Sequence, residues 1–367
     1  MIDRRLLSNF DFGLFLIMFI LFFISLFEIY SAVNAGSNHL SSGFVTRQGI
    51  WFAIGLGIFF IIISIDFHYF EQWAALIYWG VNILLIYVLL SGKYAGGSQR
   101  WISLGILNIQ PSEFAKISVV IMLARYFSRN MYESGLSFRE LIVPFIYTFI
   151  PFLLIAKEPD LGTAGVLILI FVFMIIFVKI EKRTFYYLTV IALIFLPVLS
   201  FFLKDYQKKR ILTFLNPGRD PLGAGYHIIQ SKIAIGSGMI YGKGFLKGTQ
   251  NALSFIPEQH TDFIFSVYAE EWGFIGSLIL LSVYFCLLVW MLKIAGSCRN
   301  VFGVLISVGA TGILFWQFLI NIAMVTGLFP VVGMPLPLIS YGGSSVITII
   351  VAMAILMNVS MRRYMKG

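Results

Sequence analysis

Three apolar runs in this chain open on polar residues whose types suit proton transfer or anion binding. The first opens with Gln110-Pro111-Ser112-Glu113-Phe114-Ala115-Lys116. Pro111 fits the first position of a helix. Glu113 and Lys116, three apart, then share a face and can pair. Lys116 lies about 7 Å inside such a helix. At that depth a charged pair either faces a polar cavity or locks two helices together. Asp160, before Leu161-Gly162-Thr163, opens the second run. It reads as an N-cap, as a site carboxylate, or as both.

The third run follows His260-Thr261-Asp262-Phe263. Asp262 stands where loop becomes apolar helix. Partial desolvation there raises a carboxylate toward the range of a useful general base, while a helix N-terminus and nearby lysines lower it. His260 is a second proton acceptor, and Glu270 and Glu271 lie two turns deeper as buried partners of the bundle. Residues 236–250 are glycine-rich and carry Lys243 and Lys247. Glycines let backbone N–H groups approach an anion, so a phosphate or pyrophosphate cradle and a mobile turn both fit. Residues 330–345 hold three prolines and a Ser340-Tyr341-Gly342-Gly343-Ser344-Ser345 run. Such irregular chain is tolerated at membrane depth only in a protein interior or along a cavity. Ser340 and Ser344 therefore join the two lysines as candidates for holding a pyrophosphate. Arg100-Trp101 precedes an amphipathic stretch, 102–109, and Trp101 suits an interface anchor. The sequence contains no zinc motif, no Ser/His/Asp order and no P-loop or dinucleotide fingerprint.

The elements that must position these residues are membrane helices. Hydrophobic residues make up 59% of the 367 and charged residues only 12%, with 37 Phe and 33 Gly. A soluble chain carries roughly 25% charge, so a soluble enzyme, a disordered chain and a coiled coil are excluded. Apolar runs fall near 12–33, 49–65, 74–91, 112–127, 141–156, 162–179, 184–203, 263–292, 301–327 and 341–361. Each is taken as one span. The expected fold is an all-α, polytopic integral membrane protein with ten transmembrane helices in a single unit, 1–367. The first run is too long for a signal core and reads as an uncleaved anchor.

Arg4, Arg5, Arg125, Arg129, Arg139, Lys179, Lys182, Arg183, Lys293, Arg299, Arg362, Arg363 and Lys366 fall on one side of the membrane by this count. The opposite short loops hold only Arg47, Lys93, Arg100 and Lys157. The positive-inside rule puts both termini in the cytoplasm. Residues 204–261 then form a long, basic outer loop between spans seven and eight, with a short helix over 226–235. Cys286 and Cys298 flank the end of one span, roughly 18 Å apart along a helix, which excludes a disulfide between them. The net charge of +9 sits largely in loops beside helices and calls for no nucleic acid. All the candidate segments fall on the outer side. There ATP is absent, so the substrate is an activated molecule already displayed by the membrane. An anionic, lipid-linked donor suits a basic loop above apolar helices.

Arg100-Trp101-Ile102, Gln110 to Lys116, Pro159-Asp160-Leu161-Gly162-Thr163, Gly242-Lys243-Gly244-Phe245 with Gly248-Thr249-Gln250, His260 to Phe265 and Pro335 to Ser345 together resemble the SEDS family (shape, elongation, division and sporulation). The resemblance is greatest to its RodA branch, and it spans nearly the whole chain in order. It implies a peptidoglycan glycosyltransferase of ten spans that joins lipid II into glycan strands on the outer face of the bacterial cytoplasmic membrane and releases undecaprenyl pyrophosphate. By resemblance Asp262 is the catalytic carboxylate, supported by Glu113, Lys116, Asp160, Arg100 and Trp101. The resemblance also implies a class B penicillin-binding protein as partner within an elongation complex. A divalent cation, Mg or Mn, is expected on the pyrophosphate, and no nucleotide. The alternative reading is a flippase for a lipid-linked precursor, since buried charges and broken segments also mark transporters.

Overall fold

The computed structural model describes residues 9–35, 43–95, 98–104, 107–130, 135–202, 205–220, 223–253, 255 and 258–363. Arg4, Arg5 and Lys366, which enter the topology count, lie outside the described residues. Ten helices take up the ten apolar runs: α1 (Phe12–Asn34), α2 (Gly43–Ser64), α3 (Phe67–Ser91), α4 (Pro111–Arg129), α5 (Phe138–Lys157), α6 (Leu161–Ile176), α7 (Lys182–Phe202), α11 (Ile264–Ser297), α12 (Val301–Val325) and α13 (Gly343–Arg362). Seven of them, α1, α2, α3, α5, α11, α12 and α13, are long and apolar enough to cross a membrane. The apolar α6 has only 16 residues.

Helix α4 is polar at both ends because it is enclosed. It packs against α3, α5, α6, α12 and α13, and nearly its whole length from Pro111 to Ala124 is buried. Helix α13 packs against α2, α11 and α12 and is buried along almost all of its length. The peripheral helices instead keep Phe12, Leu76, Leu90 and Ile176 outward, as a lipid-facing surface requires.

The stretch 102–109, read above as a continuous amphipathic segment, belongs to a small antiparallel sheet. Strands β1 (Lys93–Ala95), β2 (Ser98–Leu104) and β3 (Leu107–Ile109) pair in that order, with Lys93 opposite Trp101 and Ile102 opposite Ile109. Apolar and polar residues alternate in Ile102-Ser103-Leu104 and Leu107-Asn108-Ile109, the period of a strand. This sheet lifts Arg100 and Trp101 over the entry to α4.

The 204–261 loop is largely helical: α8 (Asp205–Leu215), a 3₁₀ turn at Pro217–Arg219, α9 (Ala224–Ser237), which covers the expected 226–235 helix, and α10 (Thr249–Ala252). The chain after α9 also repairs a break in α11. Gly273 leaves helical geometry, with φ 66° and ψ −160°. The N–H groups of Phe274 and Ile275 donate instead to the carbonyls of Met239 (2.8 Å) and Ile240 (3.1 Å), and those of Lys243 and Gly244 donate to Glu270 O (3.0 Å) and Glu271 O (2.9 Å). Backbone groups freed at membrane depth must find such partners. The glycine-rich segment thus mends a helix. Gly242 has φ 79°, and a Cβ there would lie 2.1 Å from Glu271 O. Gly242→Ala is expected to destabilise the fold by at least about 1–3 kcal/mol, read as a lower melting temperature in detergent. An unchanged melting temperature would show that the splice tolerates displacement.

Candidate active site

The starts of α4, α6, α11 and α13 converge beneath the sheet around a cavity of about 500 Å³. Its wall includes Arg100, Trp101, Glu113, Asp160, Asp262 and Ser344, all singled out from the sequence. Each is held by neighbours that distance in sequence hides. The Ser344 hydroxyl accepts from Gln110 N (3.0 Å) and donates to Asn108 O (3.4 Å), joining the start of α13 to the lead-in of α4. Asp160 caps α6, accepting from Thr163 N (3.2 Å) and Thr163 Oγ1 (3.0 Å). It also accepts from Gln110 Nε2 (3.2 Å) and lies 3.8 Å from the Arg100 guanidinium. The capping residue is therefore also a carboxylate of the cavity wall. Arg100 in turn donates to the carbonyls of Glu158 (3.1 Å) and Pro159 (2.8 Å), so it ties β2 to the α5–α6 turn.

Glu113 and Lys116 form an ion pair of 2.8 Å, with Glu113 on the cavity wall and Lys116 fully buried behind it. The second oxygen of Glu113 has no hydrogen-bond partner among the described residues. The pair braces the interior, and its carboxylate residue is also part of the cavity wall.

Asp262 precedes α11 in a turn pinned from two sides. Asn321 of α12 donates to Asp262 O (2.9 Å) and to Met334 O (2.6 Å). Ser340 Oγ donates to Thr261 O (2.6 Å), and Tyr341 N donates to His260 O (2.9 Å). The 330–345 segment is thus the clamp that fixes the aspartate's backbone, as an irregular segment enclosed by protein can be. The Asp262 carboxylate receives no hydrogen bond from the described residues and faces the cavity. Burial pushes it up to about 7, with Glu258 and Asp160 adding to the rise and Arg210 and Arg100 opposing it. Of the two opposing influences left open by the sequence, desolvation wins. The buried Glu158 beside the Arg100 anchor is likewise pushed up to about 8 by burial and by Asp160, which keeps it neutral at pH 7.

Four other candidates do not line the cavity. His260 packs its ring between Phe44 (4.8 Å) and Tyr341 (5.7 Å), and burial lowers its pKa, so it stays neutral. Ser340 spends its hydroxyl on backbone, accepting from Leu336 N (2.8 Å) as well as donating to Thr261 O. Lys243 donates to Glu270 (2.7 Å) and Thr249 (2.7 Å) behind the repaired helix. Lys247 lies in the same loop and is absent from the cavity wall. Sequence reasoning passed over Lys93, Glu258, Asn108, Gln110, Thr163 and Ser345, which do line it. For Lys93 a signal existed: a cation directly after the outer end of a span. Among the described residues no group of three or more His, Cys, Asp and Glu side chains is arranged to hold a metal ion.

A family model described as cell cycle protein, covering the FtsW, RodA and SpoVE proteins, matches residues 12–365. The chain belongs to the FtsW/RodA/SpoVE family. It is 44% identical over 324 residues to the peptidoglycan glycosyltransferase MrdB of Escherichia coli (strain K12), covering 88% of this chain and 87% of that protein. It is 33% identical over 431 aligned residues to the peptidoglycan glycosyltransferase RodA of Treponema pallidum (strain Nichols), covering 98% of this chain and 99% of the other. Among solved structures, a chain from work on the structural coordination of polymerization and crosslinking by a peptidoglycan synthase complex superposes with a TM-score of 0.82 at 29% identity, covering 97% of this chain and 99% of that one. The crystal structure of Thermus thermophilus rod shape determining protein RodA gives a TM-score of 0.71 at 26% identity, covering 97% and 98%. The fold of this FtsW/RodA/SpoVE-family chain is therefore a RodA-like polytopic membrane fold.

Proposed function

We propose that this chain is a peptidoglycan glycosyltransferase. It polymerises lipid II into β-1,4 glycan strands on the outer face of the bacterial cytoplasmic membrane, releases undecaprenyl pyrophosphate, and serves cell-wall elongation and rod shape. The observation that carries this reading is Asp262: a carboxylate without a hydrogen-bond donor among the described residues, on the wall of a polar cavity, in a chain that is 44% identical to a peptidoglycan glycosyltransferase. Both termini lie in the cytoplasm and the cavity opens on the other side. The partner is a class B penicillin-binding protein, in keeping with a structural neighbour that comes from a peptidoglycan synthase complex.

The donor sugar is α-linked to pyrophosphate and the product is β-linked, so one displacement with inversion suffices. The acceptor hydroxyl oxygen forms the new bond to the anomeric carbon. The bond from that carbon to the pyrophosphate oxygen breaks and its electron pair leaves with the phosphate. The hydroxyl proton passes to ionised Asp262, the general base. Arg100 and the pairs around Asp160 and Glu113 hold the walls in place, and the cavity keeps bulk water from competing. No three His, Cys, Asp or Glu side chains among the described residues are grouped to hold a metal ion, so a divalent cation, Mg or Mn, would be held mainly by the substrate's own pyrophosphate and would offset charge on the leaving group.

Purified protein with labelled lipid II is expected to produce glycan ladders, more of them with the partner present. A chelator is expected to suppress the ladders without lowering the melting temperature. Complete absence of polymer, with and without the partner, would refute the reading. Because the base must be ionised, kcat/KM should rise with pH and level off above about 7, the value to which Asp262 is raised. A rate already at its plateau near pH 5 would remove Asp262 from the base role.

A further inference from the structure

We propose that Lys93 is the anchor for the pyrophosphate of the lipid-linked donor; this rests on the glycosyltransferase reading above. Two cations, Lys93 and Arg100, and four carboxylates line the cavity. Glu113 is matched by Lys116 at 2.8 Å. Arg100 lies 3.8 Å from Asp160 and donates to two backbone carbonyls, so its nitrogens are engaged. Lys93 has no ion-pair or hydrogen-bond partner for its side chain among the described residues, and it is exposed. Once the matched charges cancel, the cavity keeps one cation, on strand β1, and two carboxylates, Glu258 and Asp262, on the turn before α11.

That distribution fits an inverting transfer. The base and the leaving group must lie on opposite sides of the anomeric carbon, so the group that holds the leaving group cannot share an element with the base. Lys93 and Asp262 line the cavity from different elements, strand β1 and the turn before α11. Lys243 and Lys247, the lysines of the glycine-rich loop, are not among the residues that line the cavity.

Depth supports the same assignment. Helix α3 ends at Ser91, where the Gly92 N–H still donates to Val88 O (2.8 Å). Lys93 therefore sits two residues past the end of a span, at the height of lipid headgroups, where lysine ammonium groups settle. Below it, Ile83, Tyr87 and Leu90 are exposed along one face of α3, so a prenyl tail can stay in hydrocarbon while its pyrophosphate reaches Nζ. The ammonium offsets the charge that the phosphate gains as its bond to the anomeric carbon breaks, so it acts in the transition state as well as in binding.

Lys93→Ala and Lys93→Gln are expected to lower kcat/KM for lipid II polymerisation on the order of 10- to 100-fold, the worth of one charge-assisted hydrogen bond. Lys93→Arg should restore most of it. Inorganic pyrophosphate should inhibit the wild-type protein more strongly than the Ala and Gln variants, and its binding, followed by calorimetry, should weaken in step. Undecaprenyl pyrophosphate as inhibitor separates a headgroup site from a lipid site: a loss seen with both ligands places the contact on the phosphates. Equal kcat/KM and equal pyrophosphate affinity in wild type and variants would overturn the proposal. Absence of polymerisation by the wild type itself would refute the glycosyltransferase reading instead, and the calorimetric comparison would still test Lys93.

Discussion

Asp262→Asn is expected to leave the protein folded and in the membrane but to reduce polymerisation by about 10²- to 10⁴-fold, the usual worth of a general base. Asparagine matches the aspartate in shape and cannot take a proton. The turn that carries residue 262 is held through backbone oxygens, by Asn321 and Ser340, so its position does not depend on the side chain. The variant should also be no less stable than the wild type. A free aspartate titrates near 3.8 and Asp262 near 7, so between these values the folded state holds a proton that the unfolded state has lost. Stability from this group therefore falls as pH rises through that window. The amide removes that dependence, and above pH 7 Asp262→Asn should melt at or above the wild-type temperature. Normal glycan ladders from purified Asp262→Asn would eliminate the proposed mechanism, whatever its stability.

The second large effect belongs to Glu113 and Lys116. Lys116 is fully buried at the 2.8 Å pair. Lys116→Met leaves a carboxylate without its countercharge in the interior, a loss of about 3–5 kcal/mol, expected as a clear drop in melting temperature. Glu113→Gln strands the ammonium in the same way. The double variant Glu113→Gln/Lys116→Met removes both charges and should be less destabilised than the sum of the two. Strict additivity in the double-mutant cycle would show that the two side chains do not act as a pair. Activity should fall in all three variants, since Glu113 also lines the cavity.

Both effects depend on how neighbouring chain is enclosed. A similar logic explains the strongly polar α4. Its Glu113, Lys116 and Arg125 make it a poor lipid-facing helix, yet five other helices surround it. Charges there are met by protein rather than lipid, which is the condition under which they are tolerated.

The ten apolar runs, the helix in the outer loop and the placement of Glu113, Asp160 and Asp262 at helix starts follow from local sequence. Hydrocarbon imposes length and apolarity on each span independently of the others, and capping chemistry acts within one turn. The strand pairing of 93–109 and the destination of the glycine-rich loop needed the tertiary structure. Alternation over three residues is too short to separate strand from helix, and the splice at Gly273 joins backbone groups some thirty residues apart. So did the division of labour among the cations. Lys93, Arg100, Lys243 and Lys247 carry the same charge in the sequence, but whether a carboxylate lies beside each depends on contacts between distant segments. Only folding decides which charges cancel and which is left facing the substrate.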